Sequence, residues 1–202
     1  MPKTTRIPLF PLDVVLLPAM SLPLHIFEPR YKTMITRCLN EKLEFGMILA
    51  ANKAVATAGC MAEIVKTLRD YPDGRTDILV EGRAIFRLTE LLDEKEYYEG
   101  LVEYVADEPA TLDATKENDL LQRFEQCHEL LFGRPWLDKG EGEASTLAYR
   151  MAALLPLELE KRQTLLETRS ESQRRNALAG WIAALLPKLA EAHRARQRHT
   201  LN

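Results

Sequence analysis

The chain has 202 residues, of which 46% are hydrophobic and 28% charged, and its formal net charge is −3. That balance is ordinary for a globular protein and leaves room for one large domain or two small ones. It supplies no protein-wide positive field of the kind a dedicated nucleic-acid binder uses to displace counterions from phosphates. The three cysteines, Cys38, Cys60 and Cys127, are odd in number and far apart. They form neither a disulfide framework nor a paired Cys-x-x-Cys metal site, and read as reduced, buried thiols of a cytoplasmic protein.

Residues 7 to 27 carry one formal charge, Asp13, and follow the weakly basic start at Lys3 and Arg6. Pro8, Pro11, Pro18 and Pro23 each remove a backbone donor and cost roughly 3 kcal/mol inside a helix. A membrane-spanning helix and a helical signal core are therefore not expected. Short extended pieces separated by these prolines are expected instead. Pro29 stands where a first helical turn begins, and Tyr31, Met34, Ile35, Cys38 and Leu39 recur at helical spacing, predicting a helix over about 29–41.

From Phe45 the period becomes that of strands. An apolar run covers Phe45 to Ala51, and Gly59 to Leu68 is rich in apolar and β-branched residues. Tyr71-Pro72-Asp73-Gly74 supplies turn chemistry before Thr76 to Val80, which together predict a β-hairpin. Gly82 is expected to break the second arm. Ala84, Phe86 and Leu88 alternate with Ile85, Arg87 and Thr89, giving one buried and one partly wet face. A last strand is expected from Gly100 to Val105.

Beyond Pro109 the pattern is helical, and the composition shift at 106–112 places a domain boundary between 108 and 109. Leu120, Phe124, Cys127 and Leu131 form one helical stripe. Loops follow at Gly133-Arg134-Pro135-Trp136 and at Gly140 to Glu143, with helices at about 144–154, 157–168 and 171–197, joined briefly enough for an antiparallel bundle. Pro156 is expected to start a helix, and Pro187 to kink or end the last one. The string Ala-Ala-Leu-Leu-Pro at 152–156 and 183–187 has no matching flanks and does not make a repeat.

Catalytic machinery is not expected. No G-x-x-x-x-G-K-[ST] phosphate loop occurs, and around Gly133 to Gly140 the one lysine, Lys139, precedes the glycine. His25, His128, His193 and His199 have no metal-ligand spacing, and adjacent Cys127 and His128 do not face one ion from a helix. No metal and no cofactor are expected. A hydrolase using Cys60 or Ser21 with a histidine would need groups that only folding brings together. Glu28 and Arg30, flanking Pro29, read as a helix-start charge and a partner-seeking cation. The basic end with Lys188, His193, Arg194, Arg196, Arg198 and His199 complements a helix dipole.

Taken in order, Ile7-Pro8-Leu9-Phe10-Pro11-Leu12, Val14 to Pro18, and Leu22-Pro23-Leu24-His25-Ile26-Phe27-Glu28-Pro29-Arg30-Tyr31 resemble the signature of the N-terminal substrate-binding domain of Lon proteases. The Phe27 to Tyr31 version is similar to the stand-alone bacterial form and to the related domain of cereblon. Gly59-Cys60-Met61-Ala62-Glu63-Ile64 resembles the family's G-x-x-A-x-I strand, and Asp73-Gly74-Arg75, Val80-Glu81-Gly82-Arg83 and Phe86-Arg87-Leu88 its hairpin and following strand. In the helical half Leu154-Leu155-Pro156-Leu157, Gln163 and Leu165-Leu166-Glu167 also match, so the resemblance spans about residues 5–190.

The resemblance implies an α+β protein: a PUA-like β pseudo-barrel with one helix over 1–108, then a helical bundle over 109–202. Its motif positions are Pro11, Pro18, Glu28, Pro29, Arg30, Tyr31, Gly59 and Gly82. The sequence ends where a Lon protease continues into its ATPase and Ser-Lys peptidase, so neither activity carries over. The implied role is binding of unfolded or apolar polypeptide segments, as an adaptor, holdase or proteolysis-related factor, with a protease or chaperone as a further partner. Candidate lining residues are Leu12, Leu17, Met20, Leu22, Phe27 and Tyr31, with Trp136 as an aromatic anchor. RNA binding through Arg194, Arg196 and Arg198 on a PUA-like protein, and a structural homodimer, are the alternatives; the acidic net charge argues against the first.

Overall fold

In the computed structural model, which describes residues 4–51, 54–108, 113–137 and 147–200, the first strand changes partners part-way along. β1 (Thr5–Leu12) pairs antiparallel with β6 (Glu99–Tyr104) through Thr5 to Pro8, and parallel with β3 (Phe45–Ala51) through Leu9 to Leu12. Pro8 falls at that change of partner, where a missing backbone donor costs least. Pro11 lies opposite Ile48 in the parallel pair. Between β1 and β3 come β2 (Ser21–Ile26) and α1 (Pro29–Glu41), the crossover that a parallel pair requires.

The predicted hairpin is much longer than its turn signals suggest: β4 is Ala54–Asp70 and β5 is Thr76–Leu92. The first half of β5 pairs with β2 and the second half with β6, while β4 runs beside both. β1, β3, β4, β5 and β6 therefore close into a hydrogen-bonded ring, with β2 attached outside it along β5. Ile7, Leu9, Ile48, Met61, Phe86 and Val102 fill the interior.

Two glycines make that packing possible. A Cβ on Gly59 would lie 2.3 Å from Phe86 Cζ and 2.5 Å from the Met47 carbonyl oxygen, so the ring of Phe86 needs a bare backbone beneath it. Gly82 does not break β5, as the sequence suggested. The strand continues through it with a register shift at Cys60/Ala62 opposite. A Cβ there would stand 2.1 Å from the Leu17 carbonyl oxygen. The loop 17–20 clamps onto this point: Ala19 N donates to Gly82 O at 2.9 Å, Gly82 N donates to Met20 O at 2.9 Å, and Ala19 takes a left-handed φ of 60°. Gly82 is thus a site of backbone against backbone.

α1 begins on Pro29 as expected and buries Tyr31, Met34, Ile35 and Cys38; Leu39, placed on the same stripe by its spacing, is exposed. In β5 the alternation holds for Phe86 and Arg87, whereas Ala84 is exposed and Ile85 buried.

The chain divides into two compact units, Met1–Ala106 with Leu157–Glu167, and Asp107–Pro156 with Thr168–Asn202. A division after residue 108 does not provide for the return of α4 (Leu159–Glu167), where Gln163 Nε2 donates to Ala58 O of β4 at 3.2 Å. α4 starts three residues after Pro156, so that proline precedes the helix and does not open it. In the second unit, α2 (Ala114–Phe132) is capped by Asp113, whose carboxylate accepts from Thr115 N and Lys116 N, and it ends at Gly133 with φ 67°. Leu120, Phe124 and Cys127 are buried along it and Leu131 half-buried. α3 is Leu147–Leu154, and α5 (Glu171–Thr200) runs on through Pro187 without ending there. The expected loop at 140–143 and the start of a helix at 144 lie outside the described residues.

The second unit has ions at its centre. Glu171 and Arg174 are fully buried and Arg175 nearly so. Glu171 Oε1 accepts from Ala148 N at 3.1 Å and Arg175 Nε at 2.8 Å, and its Oε2 accepts from Arg174 Nε at 2.9 Å. Arg174 also pairs with Asp107 and lies 4.4 Å over the Tyr149 ring, and Arg175 pairs with Glu117 at 2.8 Å.

Candidate functional site

β2 has the alternation of a half-buried strand. Ser21, Pro23 and His25 are exposed; Leu22 and Leu24 are half-buried and Ile26 is buried. The register with β5 sets Pro23 opposite Leu79 and His25 opposite Asp77. Its own polar face thereby meets the polar residue of a mainly apolar arm. His25 Nδ1 is hydrogen-bonded to Asp77 Oδ1, and Tyr71 Oη donates to Asp77 Oδ2 at 2.8 Å. These two bonds, with the His25 bond the larger influence, hold the Asp77 carboxyl below the usual carboxylate range. The His25 ring stacks on Phe27 at 5.9 Å and meets Tyr71 edge-on at 5.8 Å. Arg69 and Arg75 lie 4.6 and 4.9 Å over Tyr71. Phe27, 59% exposed, is thus an apolar side chain presented to solvent at the end of β2 on a braced platform.

The seven expected lining residues divide. Phe27 is exposed, and Leu12, Met20 and Leu22 are half-buried on the same unit. Leu17 (0% exposed) and Tyr31 (3%) belong to the core, Tyr31 packing 4.0 Å from the Phe10 ring, so neither lines an open surface. Trp136, in the loop after α2, is half-buried in the other unit, where it packs edge-on to Phe124 of α2 at 4.8 Å. Arg30 is not a free cation: it pairs with Glu28 at 2.9 Å and lies 4.5 Å over the Tyr31 ring, bracing the start of α1 around Pro29. Pro18 is buried in the clamp on Gly82.

The thiols are poor nucleophiles. Burial pushes Cys38 and Cys127 up to about 11 and Cys60 further, and Cys60 Sγ contacts the carbonyls of Met61 and Arg83. Ser21 and His25 share a face of β2 but stand four residues apart, roughly 13 Å along a strand, and do not form a nucleophile–base pair. Among the described residues no cluster of three or more His, Cys, Asp or Glu side chains is arranged for a metal ion, and no helix is long and apolar enough to cross a membrane. The side chains of Arg198 and His199 lie outside the described residues.

Sequence reasoning missed two further features. A cavity of about 480 Å³ is lined by Arg6, Arg37, Lys95, Glu44 and Glu99 among others. Glu99 is buried and accepts from Lys95 Nζ at 2.8 Å and Arg6 Nε at 2.8 Å. Burial alone would raise its carboxyl; the bonds from Lys95 and Arg6 outweigh that and hold it below the ordinary value. The second is the His25–Asp77–Tyr71 brace. Its trace in the sequence is a lone aspartate, Asp77, in the run Thr76 to Val80, but the pairing register was needed to find its partners.

With this geometry in place, the comparisons with known proteins are decisive for kinship. The model of the ATP-dependent protease La (LON) substrate-binding domain matches residues 6–184. The chain belongs to this family. Lon protease of Escherichia coli (strain K12) is 29% identical over 218 aligned residues, covering 96% of this chain and 26% of that protein. Lon protease 1 of Syntrophobacter fumaroxidans is 28% identical, again over 96% of this chain and 26% of its own length. This LON chain therefore spans about a quarter of the relatives it matches. The crystal structure of a Lon N-terminal domain protein from Xanthomonas campestris is similar with a TM-score of 0.69 at 27% identity, covering 88% of this chain and 98% of that one. The N-terminal domain of Mycobacterium avium complex Lon protease shares the fold, with a TM-score of 0.66 at 15% identity over 89% and 98% of the two chains. The α+β LON architecture expected from the motifs is the one observed.

Proposed function

We propose that this LON chain is a non-catalytic, cytoplasmic module that binds exposed apolar segments of other polypeptides and serves as an adaptor, holdase or delivery factor for proteolysis. The observation that carries this reading is the match of a substrate-binding domain to nearly the whole chain. Supporting it are an exposed Phe27 with half-buried Leu12, Met20 and Leu22 on the same unit, and thiols that burial keeps protonated. Aromatic side chains beside smaller apolar ones are the usual anchors of such recognition.

The test is titration of the purified chain with a permanently unfolded protein, such as reduced and alkylated casein, followed by calorimetry. Saturable binding with negative heat-capacity change is expected, weakened by Phe27→Ala and little affected by salt. Absence of binding, or strongly salt-dependent binding of generic RNA in its place, overturns the reading.

A further inference from the structure

β2 is hydrogen-bonded along one side. β5 takes that side, and no strand pairs with the other among the described residues. In an antiparallel pair successive residues direct their N–H and C=O groups alternately toward the partner and away from it. Pro23 has no N–H, so it belongs to the set directed away from β5, which is where proline is tolerated in a sheet. The same alternation places Ser21 and His25 in that set. The outer edge of β2 thus presents the N–H and C=O of Ser21, the C=O of Pro23, and the N–H and C=O of His25. Main-chain groups in a straight row specify their complement: an extended main chain.

We propose that the free edge of β2 takes up an extended polypeptide segment as an added strand, so that recognition is chiefly of main chain. This rests on the polypeptide-binding reading above and says how that binding is done. The side chains of the added strand alternate between two different surroundings. One face continues the row of Leu22 and Leu24, half-buried, and buried Ile26. The other lies beside Ser21, Pro23 and His25, with Phe27 at its end. The segment that fits is about six residues long and alternates apolar with polar side chains, the apolar ones lying along Leu22 and Leu24.

A second copy of the chain fits less well. Two β2 edges in full antiparallel register about their shared axis set Pro23 against Pro23, so the central pair lacks both donors. A foreign segment loses one donor only. Pro23 also blunts the edge against indiscriminate pairing, so the complex formed is reversible.

The test uses the whole chain and an end-capped hexapeptide alternating valine and threonine, labelled for anisotropy, with analogues N-methylated at each residue in turn. Methylation at alternate positions is expected to weaken binding about three- to tenfold per lost bond, with little effect at the positions between. Amide exchange at Ser21 and His25 should slow on binding. Pro23→Val, which restores a donor, should tighten binding about threefold or more. Binding that shows no two-residue period, or leaves the Ser21 and His25 amides unprotected, sinks strand addition while leaving polypeptide binding intact. Failure of both this peptide and unfolded casein to bind sinks both.

Discussion

The two units of this chain are held by opposite means. In the first, an apolar ring interior closes around Phe86 because Gly46 and Gly59 carry no side chain there. In the second, a buried carboxylate, Glu171, gathers Arg174, Arg175 and the Ala148 amide. A closed sheet already satisfies its backbone groups, so the limits on its apolar interior are steric. Helices satisfy themselves internally and can slide or rotate against one another. A directional ion cluster penalises arrangements that separate its charges, and its members are costly to remove singly.

The contrast is broken most sharply at Glu171. Glu171→Ala leaves two buried guanidiniums short of a carboxylate and should lower stability by about 3–5 kcal/mol, read from the denaturant midpoint. The same change should leave hexapeptide affinity unaltered, since β2 belongs to the other unit. An isosteric neutral swap would be tolerated if the cluster acted by shape, so a Glu171→Gln variant as stable as the parent would refute the electrostatic account.

In the ring, Gly59→Ala should cost about 1–3 kcal/mol by overpacking against Phe86 and the Met47 carbonyl. Combining it with Phe86→Leu should recover part of that loss, because the ring is one of the two obstacles. No recovery would mean that the backbone carbonyl sets the limit alone.

Glu99 marks where the ring unit does use charge. Its carboxyl is depressed in the folded state, so its contribution is present above the unfolded value, about 4.3, and is lost as pH falls through the folded one. Thermal melts should therefore show stability falling on acidification below about pH 4, and Glu99→Gln should flatten that fall. The smallest effect is at Ala19, whose left-handed φ strains a residue with a Cβ. Ala19→Gly should raise stability by up to about 1 kcal/mol, an increase that a shift of the melting midpoint would reveal.

Much of the fold was legible. The stripe on α1, the apolar run of β3 and the Pro-Asp-Gly turn are local signals, each dictated by side-chain periodicity or by φ. Leu17 and Tyr31 illustrate what was not. Both are apolar and stand among residues that do reach the surface, and nothing local separates a leucine in the clamp over Gly82 from one at half exposure. Gly82 itself is ambiguous in sequence, since a strand break and a close backbone approach call for the same residue.

The sequence by itself determined the family, the helix start at Pro29 and, through the prolines of residues 7–27, that this stretch is no spanning helix, because these depend on residue order and backbone chemistry at short range. Only the tertiary structure decided that β5 serves two partners, that α4 returns to the strands, that Asp77 holds His25 and Tyr71 together, and that β2, among the described strands, pairs with β5 alone. Each of those is a pairing between segments distant in the chain, and its free energy comes from groups that meet only once the ring has closed.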